Sequence, residues 1–383
     1  MSANPPIPVE TEPDNTKRAG LVLISLAAFV VLVFAARSIA EIIAPIFLGL
    51  NLMIVAHPIH RALVKAKIPS PAAAVVTLLT VLVVVFAFLL STIWSLSELV
   101  RIIPDYAPQF DALLRDGLGW LDSVVGISAD AIASEVSKGL TAANVLNLLT
   151  PLFNNLAAIM SLLATLLMAV FFLAMDSTDF TRRLSLASRV EPRFTEAMHT
   201  FAHGVRRYWV VATVFGLIVA VLDVVALTIL GVPLALVWGV LSFLTNYIPN
   251  IGFVLGLIPP ALVALLEIGP TAALWVVIAY VVLNFVIQAI IQPKVAGESV
   301  GVTPFISFFS LLFWYFVLGA LGALLALPAT LLVRALLVDG NPKAQWINLL
   351  ISSDRRVQKA SLRDAVLRRR AARQEAAAKA AAD

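Results

Sequence analysis

The fold of this chain is decided by two similar apolar stretches: GVPLALVWGVLSFLTNYIPNIGFVLGLIPPALVALL, residues 231–266, and GVTPFISFFSLLFWYFVLGALGALLALPATLLVRALL, residues 301–337. Each opens on Gly-Val with a proline close behind, Pro233 in the first and Pro304 in the second. Each is interrupted near its middle by glycine, and a later proline precedes a run of leucine, alanine and valine. A repeated, broken apolar element within a membrane protein is typical of a transport site.

Composition places the whole chain in a membrane. Hydrophobic residues make up 61% of it and charged residues 13%, whereas soluble domains carry roughly 45–50% apolar and about 25% charged residues. The lipid bilayer is therefore the expected partner. The net charge of +4 is too modest for a nucleic-acid footprint.

The residues that several classes of enzyme and metal site require are missing from this sequence. The absence of cysteine excludes thiol nucleophiles and thiolate metal sites. The histidine pairs His57/His60 and His199/His203 have no acid at ligand spacing, so we expect no metal site. Because phosphate-loop, Gly-x-Ser-x-Gly and His-Glu-x-x-His motifs are also missing, we expect no cofactor and no enzyme activity.

Apolar runs of about 20 residues, the length that crosses a bilayer, predict an all-α polytopic membrane protein with six full transmembrane helices. The polar, acidic start before Lys17 argues against a cleaved secretory signal. The predicted spans are Ala19–Ala36, Ile39–Ala56, Pro71–Trp94, Leu152–Met175, Tyr208–Leu230 and Thr271–Ile291.

The distribution of basic residues predicts the orientation of these spans. Residues 95–150 carry three basic and seven acidic residues, whereas residues 176–207 carry six arginines and four acids. Because basic loops stay in the cytoplasm, we expect both termini inside. The expected divisions are a cytosolic tail 1–18, three transmembrane helices 19–94, an extracytoplasmic amphipathic segment 95–150, a transmembrane helix 151–175, a cytosolic helical segment 176–207, a transport core 208–338 and a basic cytosolic tail 339–383.

The two repeated stretches predict re-entrant helical hairpins, giving about eight hydrophobic segments in all. Arms Leu234–Tyr247 and Ile251–Leu266 are short for a core about 30 Å thick, and a polar, proline-containing segment separates them. The second hairpin has arms Phe305–Leu318 and Leu321–Val338. The charge distribution predicts opposite orientations for the two hairpins. A full span followed by a hairpin therefore occurs twice, the second time in the opposite orientation, which is an inverted repeat. Ten ordinary crossings are the alternative, and they leave the termini on the same side.

Polar side chains near the breaks form the predicted substrate or ion pathway. Asn246 and Asn250 flank the first break, where they would contact the solute or cap helix ends. Asn284, Gln288 and Gln292 are spaced four apart and would form one stripe, either lining a pathway or bonding between helices.

Asp223 is the acid well inside a predicted span, where an acid marks a functional site unless it is structurally paired. The backbone breaks, turns and close packing of the two hairpins are assigned to glycine and proline. These residues are Pro249, Gly252, Gly256, Pro259, Gly319, Gly322 and Pro328.

Residues 231–260, QPKVAGESVGVTP at 292–304 and residues 311–337 resemble the autoinducer-2 exporter (AI-2E) family in order and spacing. HPIHRALVKAKIPS at 57–70 resembles that family's early proline-plus-basic loop. The resemblance covers roughly Lys17 to Val338. The matching positions are Pro249, Gly252, Pro259, Gln292, Pro293, Lys294, Gly297, Pro304, Gly319, Gly322 and Pro328.

The resemblance implies a permease of the bacterial inner membrane and a homo-oligomer, with a pentamer as one candidate. It implies export of a small polar solute such as a quorum-sensing signal, with protons or Na⁺ as candidate coupling ions. Since His57 and Asp223 depart from the family pattern, a Na⁺ or Li⁺/proton antiporter is the alternative. A non-transporting membrane scaffold that binds partners through residues 95–150 is the alternative from another class.

Overall fold

The computed structural model describes residues 15–125, 156–249, 251–296, 302–341 and 344–347, together with Leu350 and Gln374. Every regular element within these ranges is a helix, which confirms the all-α prediction. Asn250, Gly297 and all of the predicted extracytoplasmic segment after Val125 lie outside the described residues.

The amino-terminal part contains three helices: α1 (Asn15–Ser38), α2 (Ala40–Lys65) and α3 (Ser70–Val125). Ile39 alone separates α1 from α2. Helix α3 has 56 residues, so at about 1.5 Å per residue it is about 84 Å long. Because a bilayer core is about 30 Å thick, much of α3 extends beyond it. The helix does not end at Trp94, where the sequence predicted the end of the span.

Helices α4 (Leu156–Val190) and α5 (Pro192–Ile229) are separated by Glu191, and Pro192 takes the first helical position of α5. Proline suits this position because the amide hydrogen it lacks would have had no partner within the helix. Helix α5 then continues through the predicted fifth span. Its buried face runs from Thr195 to Leu227, so α5 is packed against other helices along most of its length.

The first repeated stretch forms a helical hairpin of α6 (Ala235–Thr245) and α7 (Gly252–Glu267), called hairpin one below. Its turn begins at Asn246, where the break was predicted. Gly256 packs closely on Ser242: a Cβ added to Gly256 would lie 3.1 Å from the Ser242 Cα. The two arms therefore lie side by side.

The sixth predicted span is helical but changes its hydrogen-bonding pattern. Helix α8 (Pro270–Asn284) passes into a π-helical segment, Phe285–Ile291, and then into α9 (Gln292–Ala296). In a π-helix each amide bonds the carbonyl five residues back, and such segments often occur at functional sites. Nothing in the sequence pattern predicted this change.

The second repeated stretch, called hairpin two, comprises α10 (Pro304–Leu324), α11 (Ala326–Arg334) and a π-helical turn, Ala335–Asp339. A short 3₁₀ turn, Gln345–Ile347, follows it. Helix α10 is interrupted at Gly319, where φ is 67° and ψ is −150°, a conformation essentially restricted to glycine.

The chain reverses at this interruption. The Ser310 hydroxyl donates to the Ala326 carbonyl at 2.8 Å, and the Trp314 indole N–H donates to the Thr330 hydroxyl at 3.0 Å. Residues on either side of Gly319 therefore lie opposite one another, as the hairpin prediction required.

Within the described residues, five helical segments are long and apolar enough to cross a membrane: Ala40–Lys65, Ser70–Glu98, Pro192–Ile229, Pro270–Lys294 and Pro304–Leu324. Shorter apolar segments, Leu23–Ser38 and Met160–Asp176, occupy the first and fourth predicted spans. Many of their large side chains are exposed, for example Leu32 at 67%, as expected of surfaces that face lipid. The chain is a polytopic membrane protein.

Candidate solute pathway at hairpin one

Three of the predicted pathway residues form one hydrogen-bonded cluster, called the amide cluster below. The Gln288 side-chain amide donates to the Asn246 side-chain oxygen at 2.9 Å and to the Asn284 side-chain oxygen at 2.8 Å. Asn284, which is 5% exposed, donates in turn to the Tyr280 carbonyl at 2.8 Å. The structure thus joins the tip of hairpin one to the π-helical segment through side-chain amides.

The amide cluster retains unused hydrogen-bonding groups. The Asn246 amide nitrogen and the Gln288 side-chain oxygen make no hydrogen bond to the residues that the structure describes. Both side chains are half-buried. If either amide is turned over, the cluster still has donors and acceptors to spare, because each amide carries both kinds of group. This arrangement is suited to a small polar ligand.

Gly216 of α5 provides the space in which Asn246 lies. A Cβ added to Gly216 would be 2.7 Å from the Asn246 amide nitrogen, a distance that would force one of them to move. Sequence analysis did not select this glycine. Its position seven residues before Asp223, and therefore on the same face of α5, was the signal that could have identified it.

Asp223 lies further along the same interface between α5 and hairpin one. It is 0% exposed, and its Oδ2 accepts a hydrogen bond from the Ser242 hydroxyl at 2.6 Å. Its Oδ1 and the buried Tyr280 hydroxyl have no hydrogen-bond partner among the described residues. Ser242 precedes Asn246 by four residues and shares its helix face, so it too could have been identified from spacing.

A second group of buried polar side chains surrounds Tyr247, the residue after Asn246. The Tyr247 hydroxyl is 2.8 Å from the Thr213 hydroxyl, and the Tyr208 hydroxyl donates to the Tyr247 carbonyl at 2.9 Å. The Trp209 indole N–H lies 3.4 Å from the side-chain oxygen of Asn51, which is 0% exposed. These contacts attach hairpin one to α5, and α5 to α2.

The remaining predicted residues lie apart from the amide cluster or outside the described residues. Gln292 begins α9 and makes no hydrogen bond to the cluster. Pro249 and Gly252 lie at the turn and at the start of α7, whereas Pro259 lies inside α7.

The glycines and proline of hairpin two have different places. Gly319 is the point of reversal, Gly322 packs on Trp314 and Pro328 lies near the start of α11. The described residues contain no group of three histidine or acidic side chains that could hold a metal ion.

Comparison with known proteins assigns the chain to a family. Residues 23–340 match the model of a family described as the AI-2E family transporter. The chain is 31% identical over 333 residues to the AI-2 transport protein TqsA of Escherichia coli (strain K12), an alignment that covers 86% of this chain and 95% of that protein. It is 28% identical over 334 residues to a Haemophilus influenzae protein whose name describes a transport protein and no substrate, with the same coverage of both chains.

Two matches therefore cover most of the chain. A family model extends from α1 to the end of hairpin two, and a relative above 30% identity is covered almost completely. Both describe transporters, and neither describes an enzyme. This multi-pass membrane protein belongs to the AI-2E family of transporters.

Proposed function

We propose that this protein exports a small polar solute across the bacterial inner membrane by secondary transport, and that the solute passes the amide cluster at the tip of hairpin one. The main support for this proposal is that Gln288 bridges Asn246 and Asn284 by hydrogen bonds. This leaves the Asn246 amide nitrogen as an unused donor and the Gln288 side-chain oxygen as an unused acceptor among the described residues. Because AI-2 transport is named for the Escherichia coli relative, AI-2 is the first candidate solute.

The proposal includes a topology of six full spans and two re-entrant hairpins related as an inverted repeat, with both termini in the cytoplasm. The short arms support it: α6 has 11 residues and α7 has 16, or about 16 Å and 24 Å, against a core of about 30 Å. Hairpin two supports it in the same way, because the chain reverses at Gly319 and the part of α10 before that reversal is also short. We also propose a homo-oligomer, with a pentamer as the candidate stoichiometry.

Removing the bridge between the two asparagines tests the pathway. We expect Gln288→Leu to lower solute efflux from proteoliposomes roughly ten- to hundredfold, because leaving buried polar partners unsatisfied costs about 1–3 kcal/mol. Asn246→Ala should lower it by a similar factor, since Asn246 is the contact from hairpin one. AI-2 is the first solute to measure.

The control is Gln109→Leu, the same chemical change at an exposed position on α3, which should keep wild-type efflux. Gln292→Leu tests whether the whole predicted stripe matters or only the hydrogen-bonded cluster. We expect it to lower efflux less than Gln288→Leu does. Wild-type efflux in both Gln288→Leu and Asn246→Ala would refute the assignment of the pathway.

Antiport of Na⁺ or Li⁺ against protons is the second candidate, and Asp223 favours it. An ionised carboxylate in an apolar interior is costly unless it is paired. The Ser242 hydroxyl is its hydrogen-bond partner among the described residues, and Oδ1 has none. A bound proton or a small cation would supply the missing compensation.

This second candidate predicts that adding Na⁺ or Li⁺ to vesicles dissipates an imposed pH gradient. Asp223→Asn should abolish the response because the amide has nearly the same shape but cannot release a proton. Glu267→Gln, an acid-to-amide change at the end of α7, is the control and should keep the response. An Asp223→Asn protein with full activity would eliminate the antiport mechanism centred on this residue.

A further inference from the structure

A large apolar cleft lies beside hairpin one, and Asn246, Asn284 and Gln288 of the amide cluster are not among the residues that line it. Its volume is about 660 Å³, and it is bounded by α2, α3, α4, α5 and α6, with Leu321 and Leu324 of hairpin two at one end. Its walls are almost entirely apolar, aliphatic and aromatic, and none of its lining residues is charged. The transport pathway proposed above does not use it.

The cleft opens toward the lipid phase. Val84 of α3, Leu217 of α5 and Leu236 of α6 line it, and all three are more than half exposed. Val84 and Leu217 belong to helices that are long and apolar enough to cross the membrane. The medium at this opening is therefore hydrocarbon, and the molecules that reach it most often are lipid chains.

The inner part of the cleft contacts the tip of hairpin one. Tyr247 and Phe243 line it, with their ring centroids 5.5 Å apart, and Phe88 of α3 lies 5.9 Å from the Tyr247 ring. Tyr247 directly follows Asn246, whose side-chain oxygen accepts the Gln288 hydrogen bond of the amide cluster. An occupant of the cleft therefore packs on the element that carries the amide cluster.

We propose that the cleft binds one acyl chain of a bilayer lipid and that this chain packs against Tyr247 and Phe243. The uncharged walls offer nothing to an ion, a headgroup or a charged peptide. A polypeptide helix is too wide: at a diameter of about 10 Å and a rise of about 1.5 Å per residue it needs about 120 Å³ per residue, so the cleft would hold less than two turns. Apolar cavities bind apolar molecules in preference to water.

Photolabelling of the full chain in liposomes tests this assignment without measuring transport. The probe is a phospholipid with a diazirine near the middle of one acyl chain, mixed into phosphatidylethanolamine and phosphatidylglycerol, and labelled peptides are quantified by mass spectrometry. We expect several-fold more label on peptides containing Val84–Ser91 and Thr213–Leu217 than on the peptide containing Leu274 and Trp275. The latter two residues are also lipid-facing, at 58% and 55% exposure.

Matched variants distinguish the cleft from general lipid contact. Val84→Trp and Leu217→Trp narrow the opening and should reduce labelling of the cleft peptides several-fold. Val83 and Ile218 are the neighbouring residues and do not line the cleft. Val83→Trp and Ile218→Trp should therefore leave the labelling unchanged. Because all four positions are exposed, we expect the variants to fold, and size-exclusion profiles check this.

Equal labelling of all lipid-facing peptides in the wild-type protein would overturn the proposal. An equal loss of label in the cleft variants and the control variants would also overturn it. Because the readout is labelling, failure of the lipid site leaves the solute pathway untouched. Failure of the efflux test likewise leaves the lipid site untouched.

Discussion

Replacing Gly252 or Gly322 by alanine is expected to destabilise the transport core by about 3 kcal/mol or more, at the upper end of the range for overpacking. An added Cβ at Gly252 would overlap the carbonyl of Thr245, and one at Gly322 would overlap the carbonyl of Trp314. Since each obstacle is backbone of the opposite arm, it cannot yield by a change of rotamer. Both arms of the hairpin have to separate.

The measurement is the free energy of unfolding in mixed micelles, obtained from a denaturing-detergent titration. The matched control is Gly20→Ala, because a Cβ at Gly20 meets nothing within 4 Å and alanine is the better helix former. Gly319→Ala separates a second effect. A Cβ added at Gly319 would meet no neighbour within 4 Å. Alanine would nevertheless be strained at the φ of 67°, and this backbone strain costs about 1–3 kcal/mol. Wild-type stability in both Gly252→Ala and Gly322→Ala would show that the hairpin arms are further apart than described.

Trp238→Ala is expected to produce the second large effect, a loss of about 3 kcal/mol of unfolding free energy. Trp238 lies in α6, is 0% exposed and donates its indole N–H to the Pro233 carbonyl at 2.9 Å. Truncating a buried tryptophan costs about 3–5 kcal/mol in soluble proteins. We expect the lower end because lipid provides no hydrophobic drive between helices, so that van der Waals packing and the hydrogen bond are what is lost.

Trp275→Ala is the control for this change, since Trp275 in α8 is 55% exposed and its side chain faces lipid. Both variants remove one tryptophan, so the fluorescence signals remain comparable. We expect Trp275→Ala to stay close to the wild-type midpoint. An equal loss in the two variants would mean that hairpin one is not packed as tightly as the cluster around Trp238 indicates.

The positions of both hairpin turns could be predicted because they depend on local chemistry. A proline removes a backbone donor and a glycine admits unusual backbone angles, so the residues themselves mark the breaks. The first break was predicted to begin at Asn246 and the second at Gly319, and the structure turns the chain at both.

The length of α3 could not be predicted in the same way. The change from apolar to mixed polar residues after Trp94 indicated the end of a span and separate helices beyond it. The structure continues one helix to Val125. Helical hydrogen bonds are made within the backbone whether the surrounding medium is lipid or water, so a change in polarity does not have to end a helix.

The amide cluster could be predicted only in part. Spacing placed Asn284 and Gln288 on one face, but nothing local joins Gln288 to Asn246, which is 42 residues away in the chain. The stripe also assumed regular α-helical rotation through Gln292. The π-helical segment at Phe285–Ile291 changes that rotation, and Gln292 consequently lies outside the bonded cluster.

Helix α5 has a mechanical consequence for the two hairpins. It runs unbroken from Pro192 to Ile229. Near Gly204 it contacts Leu331 of hairpin two, and from Tyr208 onward it contacts hairpin one. One continuous helix therefore packs against both hairpins. A tilt of α5 would change its contacts with both hairpins at once, so that a movement at one hairpin would be transmitted to the other.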